Sequence, residues 1–131
     1  MAIRIVKLGS PRAEDEGLRI GTVRRPPRGV PKLDFAKRNF YDVWLPTLSP
    51  SDALVTQGLA AKDLKDWKKF ERSFLKEMSR SDASKVLDLL AALSHGANFS
   101  IGCYCEDESH CHRSILKQLL IEAGAKIVQA L

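Results

Sequence analysis

An alternating pattern of apolar and small residues occupies positions 99–105, which read Phe99-Ser100-Ile101-Gly102-Cys103-Tyr104-Cys105. Alternation over this length is typical of a β-strand, because successive side chains in a strand point to opposite faces. The pattern predicts that Phe99, Ile101, Cys103 and Cys105 share one face. After an acidic loop, apolar residues recur at helical spacing from Cys111 until Gly124, which can end a helix. The segment therefore predicts a strand followed by a helix.

The residues before this unit predict further strands and helices. Short β-branched runs predict strands at 3–8 and 18–23, which we expect to be neighbours, and weaker patterns suggest strands within 39–45 and at 125–128. Residues able to cap helices stand at Ser51, Asp63 and Ser81. Alternating helices and strands favour a parallel sheet. We therefore expect a single α/β domain over residues 1–131, with a mostly parallel sheet and helices packed on its faces.

Length and composition agree with a globular protein. The chain has 131 residues, of which 44% are hydrophobic and 28% are charged, so it can bury a core of its own. No apolar run approaches the roughly 18 residues needed to cross a bilayer. The first residues also lack the hydrophobic core of a signal peptide. We expect a cytoplasmic protein that makes no membrane contact.

Positive charge is concentrated in the first third of the chain. Residues 1–39 hold ten Lys or Arg against four acidic residues, whereas residues 40–131 hold eleven against twelve. Three of these arginines, Arg24, Arg25 and Arg28, lie in a loop that contains three prolines between positions 24 and 31. Guanidinium groups held in a stiff loop suit the recognition of phosphate or carboxylate. The alternative is a solvated charge run that contributes solubility.

A cluster of thiols and imidazoles marks the junction between the predicted strand and the last helix. In parallel sheets, ligands bind at the carboxyl ends of strands, and the first turn of a helix attracts anions. Cys111 and His112 fall in that turn, so they are the candidate catalytic residues, with Cys111 as the thiol most expected to be reactive and His112 as acid or base. Arg113 is a candidate ligand-binding residue, although it could instead pair with Glu106, Asp107 or Glu108.

Two other interpretations of the cysteines stay open. The first is a metal site made by Cys103, Cys105, Cys111 and His112, which would make zinc or iron the cofactor, although structural zinc sites usually contain Cys-x2-Cys pairs. The second is that Cys103 and Cys105 are small buried hydrophobic residues, since free cysteine is among the most buried residue types. For these two cysteines alone, we favour the second interpretation.

Several stretches resemble the domain of unknown function 488 family of small bacterial and archaeal proteins. The resemblance is carried by residues 17–30, by Trp44 to Ser51, by the helix with Trp67, Phe70 and Phe74, and by Cys111-His112-Arg113. Family members typically have an aromatic residue where this chain has Pro26. One subgroup has Asn-His in place of Cys-His, which implies that His112, more than Cys111, is the common polar group. The resemblance implies an α/β fold and no established reaction.

Together these features predict an anion-binding site in which the loop of Arg24, Arg25 and Arg28 meets Cys111, His112 and Arg113. The ligand would be phosphate, a nucleotide or a nucleic-acid end, and the sequence leaves open whether the site is enzymatic. One alternative is a non-enzymatic module that binds a nucleic-acid backbone through the basic first third. The other is the Cys/His metal-binding protein.

Overall fold

The computed structural model describes residues 1–106 and 110–128. Within these residues the strands are β1 (Ile3–Lys7), β2 (Leu18–Gly21), β3 (Val43–Trp44) and β4 (Phe99–Cys103). The helices are α1 (Asp52–Ala60), α2 (Leu64–Met78), α3 (Ser81–Leu93) and α4 (His112–Glu122), and 3-10 turns occupy Lys32–Asp34 and Pro46–Leu48. The architecture is therefore the predicted α/β type.

The sheet is parallel throughout and has the order β1-β4-β2-β3. β4 is central, since Phe99 lies opposite Ile3 of β1 on one side and Leu18 of β2 on the other. The expectation that β1 and β2 are neighbours was wrong. Adjacent parallel strands need a crossover of about a dozen residues or more, usually containing a helix, and only a short loop joins these two. The predicted strand at 125–128 is reduced to one bridge between Ile127 and Ile3.

Two of the helices begin directly after capping residues that the sequence predicted. The Ser51 side chain accepts a hydrogen bond from the Leu54 amide before α1, and the Asp63 side chain accepts one from the Asp66 amide before α2. Each cap satisfies an amide that has no partner within the helix. α4 begins after Cys111, whose backbone is extended and which occupies the N-cap position without a side-chain bond. Cys111 therefore lies directly at the amino-terminal end of α4.

All four helices and the sheet share one apolar core. Its fully buried members include Ile3, Phe74, Ile101 and Leu116. A second, smaller cluster lies where β1, β2 and β4 end, and it contains Leu8, Val23, Tyr41, Cys103 and Cys111. Because both cysteines of this cluster are buried beside the strand ends, the core itself brings the Cys-His segment to the carboxyl edge of the sheet.

The strand predicted over residues 99–105 is two residues longer than the strand in the structure. β4 ends at Cys103, which is buried, whereas Cys105 lies beyond the strand and is exposed. The expectation that Cys105 is a small buried hydrophobic residue was therefore wrong, while Cys103 is buried as expected. The alternating pattern continues for two residues after the last strand partner, so periodicity alone could not locate the end.

None of the helices in the described parts of the chain is long and apolar enough to span a bilayer.

Candidate ligand pocket and Cys-His centre

A cavity of about 300 Å3 opens at the carboxyl ends of β2 and β4. Val23 follows β2 and lines the cavity on one side, and Cys103 and Tyr104 line it at the end of β4. An apolar wall comes from Pro50, α1 and α2, and it includes Val55, Gly58, Leu59, Trp67 and Phe70. Its position is the one at which parallel α/β sheets bind ligands, and its volume is at the lower end of the usual range for ligand pockets.

Two cysteine sulfurs and one imidazole converge at the cavity. The Sγ atoms of Cys103 and Cys111 and a ring nitrogen of His112 lie within 4.8 Å of one another, and all three residues are buried. The two Sγ atoms lie at disulfide distance from each other, although the two Cα atoms are 8.0 Å apart. Cys105 also lines the cavity, but it is not part of this converging set. Of the four predicted metal ligands, three therefore come together.

The imidazole of His112 is fixed by a backbone contact. Its Nε2 atom lies 2.6 Å from the carbonyl oxygen of Thr22, just after β2. Because a carbonyl can only accept a hydrogen bond, Nε2 carries the proton and donates it. In the neutral ring the Nδ1 atom then has a free lone pair, and this atom lies 3.7 Å from Sγ of Cys111. The ring edge also packs against Phe74, with centroids 5.6 Å apart.

The surroundings of His112 favour its neutral form. Burial lowers the pKa of His112 to about 4, although the hydrogen bond to Thr22 opposes the shift; the positive charge of Arg113 adds to the lowering. The imidazole therefore stays neutral at neutral pH. A neutral ring with an unprotonated Nδ1 can accept a proton from a thiol or donate its lone pair to a metal ion.

The loop that contains Arg24, Arg25 and Arg28 reaches the same cavity, and its three arginines make different contacts. Arg24 and Arg25 both line the cavity. The guanidinium of Arg24 donates to the carbonyls of Pro50 at 3.0 Å and Ser49 at 3.3 Å, so it anchors the turn before α1. Arg25 pairs with Asp52 at 3.0 Å, and its side chain is 76% exposed, which leaves most of its donors open to solvent. Arg28 is exposed and is not among the described lining residues.

Arg113 lies behind the cavity and does not line the described part of it. Its side chain is buried and donates from Nη2 to the carbonyl of Cys105 at 2.7 Å. Its Nε atom has no hydrogen-bond partner within the described residues. Of its three suggested acidic partners, Glu106 pairs with Lys7, and Asp107 and Glu108 lie outside the described residues. The guanidinium therefore holds the turn after β4 in place beside the Cys-His centre.

A separate arginine is fully buried on β2. Arg19 forms a bidentate pair with Glu16, with Nε 2.7 Å and Nη2 2.9 Å from the two carboxylate oxygens. Its Nη1 atom also donates to the carbonyls of Ser10 and Asn39. Ser100 of β4 donates to the same carboxylate. This arginine belongs to the basic first third of the sequence, but its charge is internal and structural.

Sequence reasoning missed the aromatic walls of the cavity. Trp67 and Phe70 have the helical spacing of core residues, and they are buried, but one side of their stacked pair also faces the cavity. Their rings are 4.9 Å apart. No sequence signal separates a core aromatic residue from one that also forms a pocket wall. The role of the Thr22 carbonyl was also invisible, since any residue supplies a carbonyl.

The chain matches a model of a known protein family. The family model described as the active DUF488-N3 subclade matches residues 3–124. No curated protein and no solved structure matches the chain. The matched range runs from the start of β1 to the second residue after α4, and it contains the arginines and the Cys-His pair that line the cavity. The chain therefore belongs to the DUF488 family.

Proposed function

We propose that the chain is an enzyme that binds a small ligand of the nucleotide class in this cavity, and that Cys111 and His112 act on it. A single observation carries the proposal: one cavity is lined by arginines, by aromatic walls and by a thiol-imidazole pair. A nucleotide has a flat ring and an anionic phosphate, which require these two kinds of surface. The ring would contact Trp67 and Phe70, and the phosphate would lie toward Arg25.

The charges around the cavity support this orientation. Arg24 is occupied by backbone carbonyls, whereas Arg25 has a single exposed acidic partner and can turn toward a phosphate. Charge-assisted hydrogen bonds from guanidinium to phosphate are among the strongest in proteins. The positive end of the α4 dipole adds a second attraction for an anion.

The chemistry would start from the pair formed by Cys111 and His112. In the reduced protein, in which Cys103 and Cys111 are both thiols, Nδ1 of His112 would accept the thiol proton of Cys111, and the amino terminus of α4 would stabilise the thiolate that forms. The Thr22 carbonyl would keep Nε2 protonated throughout, so that Nδ1 is the atom available as base. The word "active" in the description of the matching family supports a catalytic function over binding alone.

The two alternative functions receive different support. A nucleic-acid module would use many free cations, but Arg19 is internal and Arg24 is bound to backbone carbonyls, so the basic third offers a smaller charged surface than its composition suggests. Metal binding is the second candidate, because Cys103, Cys111 and His112 converge. The cytoplasmic location stays a prediction.

Removal of Arg25 should weaken nucleotide binding, while removal of Arg28 should not. We expect nucleoside monophosphates to raise the unfolding temperature of the wild-type chain more than the matching nucleosides do. In Arg25→Ala the affinity, measured by calorimetry, should fall about 10-fold or more, as expected for the loss of a hydrogen bond to a charged group. Arg28→Ala removes the same charge from the same loop and serves as the control. Equal losses in both variants, or no binding by the wild type, would contradict the proposal.

A further inference from the structure

The donor atoms at the cavity have the chemistry of a transition-metal site. Cys103 contributes one sulfur from the end of β4, Cys111 contributes another from the start of α4, and His112 contributes a nitrogen. Thiolate and imidazole are the ligands that zinc and related ions prefer. All three atoms lie within 4.8 Å of one another. One ion can bind all three in the reduced protein once the side chains rotate so that the two sulfurs move apart to make room for it.

The contact between Thr22 and His112 has the form that metal-binding histidines usually show. A histidine ligand almost always donates its second ring nitrogen to a carbonyl or carboxylate, which fixes the ring and leaves the other nitrogen for the metal. Here Nε2 donates to the Thr22 carbonyl at 2.6 Å, and Nδ1 is the nitrogen on the side of Cys111. The ring is therefore already oriented with its lone pair toward the sulfur atoms.

The backbone positions of the two cysteines favour a bridging ion over a disulfide. Their Cα atoms are 8.0 Å apart, whereas disulfides join Cα atoms about 4.4 to 6.8 Å apart. A disulfide would require the end of β4 and the start of α4 to move toward each other. An ion between the two sulfurs spans a longer distance, because each zinc–sulfur bond is about 2.3 Å long.

Charge also favours an ion at this place. Two thiolates in a buried site are costly when nothing balances them, and a divalent ion cancels their charge. The three donors leave one of the four positions of a tetrahedral ion unfilled, and all three residues line the cavity. We propose that Cys103, Cys111 and Nδ1 of His112 bind a divalent ion of the zinc class whose fourth coordination position opens into the cavity.

An open position would give the ion a direct role in ligand binding. Zinc sites that are closed by four protein ligands are structural, whereas sites with three protein ligands leave a position for water or substrate. A donor atom of a bound nucleotide could then take the fourth position, an interpretation that rests on the proposed ligand class. In the metal-bound protein Cys111 and Nδ1 of His112 are ligands, so the proton transfer between them belongs to the metal-free protein. The metal site itself stands on the three donors and does not depend on which ligand enters the cavity.

Cobalt(II) substitution tests both the site and its open position. The full-length reduced protein is freed of metal with a chelator and titrated with cobalt(II). We expect one cobalt per chain, with the intense visible bands of four-coordinate cobalt and a sulfur-to-cobalt charge-transfer band. Added sodium azide should shift the visible bands in a saturable way, because it can enter the open position. Zinc should displace the cobalt and raise the unfolding temperature of the protein.

Variants separate the three ligands from the neighbouring thiol. Cys103→Ser and Cys111→Ser should each weaken cobalt binding by more than the about 10- to 100-fold that is typical of losing an outer contact, and circular dichroism verifies their folding. Cys105→Ser is the matched control and should bind cobalt as the wild type does. No cobalt uptake by the folded wild-type chain would overturn the proposal.

Two further results have distinct meanings. If Cys105→Ser fails to bind cobalt and azide leaves the wild-type spectrum unchanged, the site is closed by four protein ligands and the open position is refuted. If azide shifts the spectrum while nucleoside monophosphates neither shift it nor stabilise the chain, the metal site is supported and the proposed ligand class fails. The two proposals can therefore fail separately.

Discussion

Glu16→Gln is expected to lower the free energy of unfolding by about 3 kcal/mol, which is a large part of the stability of a domain of this size. The substitution keeps the shape of the side chain but removes the negative charge beside Arg19. The guanidinium of Arg19 is fully buried, and Glu16 is the carboxylate that it pairs with directly. The Asp42 carboxylate accepts from the Arg19 backbone amide and is a weaker electrostatic partner of the side chain. A buried cation that loses its paired counter-charge bears much of the penalty of leaving water. Urea unfolding monitored by circular dichroism measures the loss.

The neighbouring acid provides the control for this substitution. Asp15 pairs with Arg4 on the surface at 3.0 Å, and the Asp15 side chain is 69% exposed. Exposed ion pairs contribute about 1 kcal/mol or less, so Asp15→Asn should change the stability little. If Asp15→Asn and Glu16→Gln lower the free energy of unfolding by similar amounts, the buried ion pair does not contribute more to stability than the exposed one.

The same carboxylate predicts loss of stability in acid. Burial alone would raise the pKa of Glu16, but the hydrogen bonds from Arg19 and Ser100 outweigh it and lower the pKa from 4.5 to about 2. Glu16 is therefore protonated at a lower pH in the folded state than in the unfolded state. Its contribution is complete above about pH 4.5 and is lost as the pH falls from 4.5 to about 2.

The second large effect concerns His112 and occurs at a higher pH. Its pKa falls from 6.5 in the unfolded chain to about 4 in the folded protein, chiefly through burial. Between pH 6.5 and about 4, His112 is protonated in the unfolded chain but not in the folded chain. The free energy of unfolding therefore decreases as the pH falls through this range. The shift corresponds to about 3 kcal/mol. We expect the unfolding free energy of reduced, chelator-treated protein to fall by that amount across this range.

Substitution of the histidine should remove this part of the pH dependence. In His112→Gln the profile should be nearly flat between pH 6.5 and 4 except for the early part of the Glu16 titration. His95→Gln is the control, because His95 is exposed and contacts the Gly124 carbonyl at the surface. If the wild-type profile is already flat, or if His95→Gln flattens it equally, His112 is not the group that controls acid sensitivity.

Local patterns predicted the parts of the fold that depend on neighbouring residues. The strand at 99–103 follows from alternation, and the starts of α1 and α2 follow from Ser51 and Asp63. The position of the Cys-His segment at the carboxyl edge of the sheet follows from the strand-to-helix order. The order of the strands did not follow, because pairing between distant strands is decided by packing and by the length of their connections.

The arginines show where charge in a sequence misleads. Arg19, Arg24 and Arg25 fall within seven positions of one another, and composition treats them alike. One is fully buried with Glu16, the second binds backbone carbonyls, and the third faces solvent. The contacts that each guanidinium makes depend on hydrogen-bond acceptors in other segments of the chain. A pattern of charges predicts that a surface exists but not which guanidinium groups are free.

The Cys-His centre of the candidate site could be predicted only in part, because some of its residues are neighbours in the sequence and others are not. Cys111 and His112 share a helix start with Arg113, and that proximity is visible in the sequence. The approach of Cys103, the exposure of Cys105 and the carbonyl of Thr22 depend on where β4 ends and on which strand lies beside it. These are properties of the sheet, so sequence spacing could not supply them.

The central place of β4 has a consequence for how the protein is made. Both β1 and β2 pair with β4, and β4 is synthesised after them and after three of the helices. While residues 1–98 emerge from a ribosome, β2 can pair only with the two-residue β3, nothing joins β1 to β2, and both strands expose open edges. Completion of the sheet must wait for residues 99–103, which makes the folding slow and dependent on distant contacts. During that interval the nascent chain is open to misassembly and to chaperone binding.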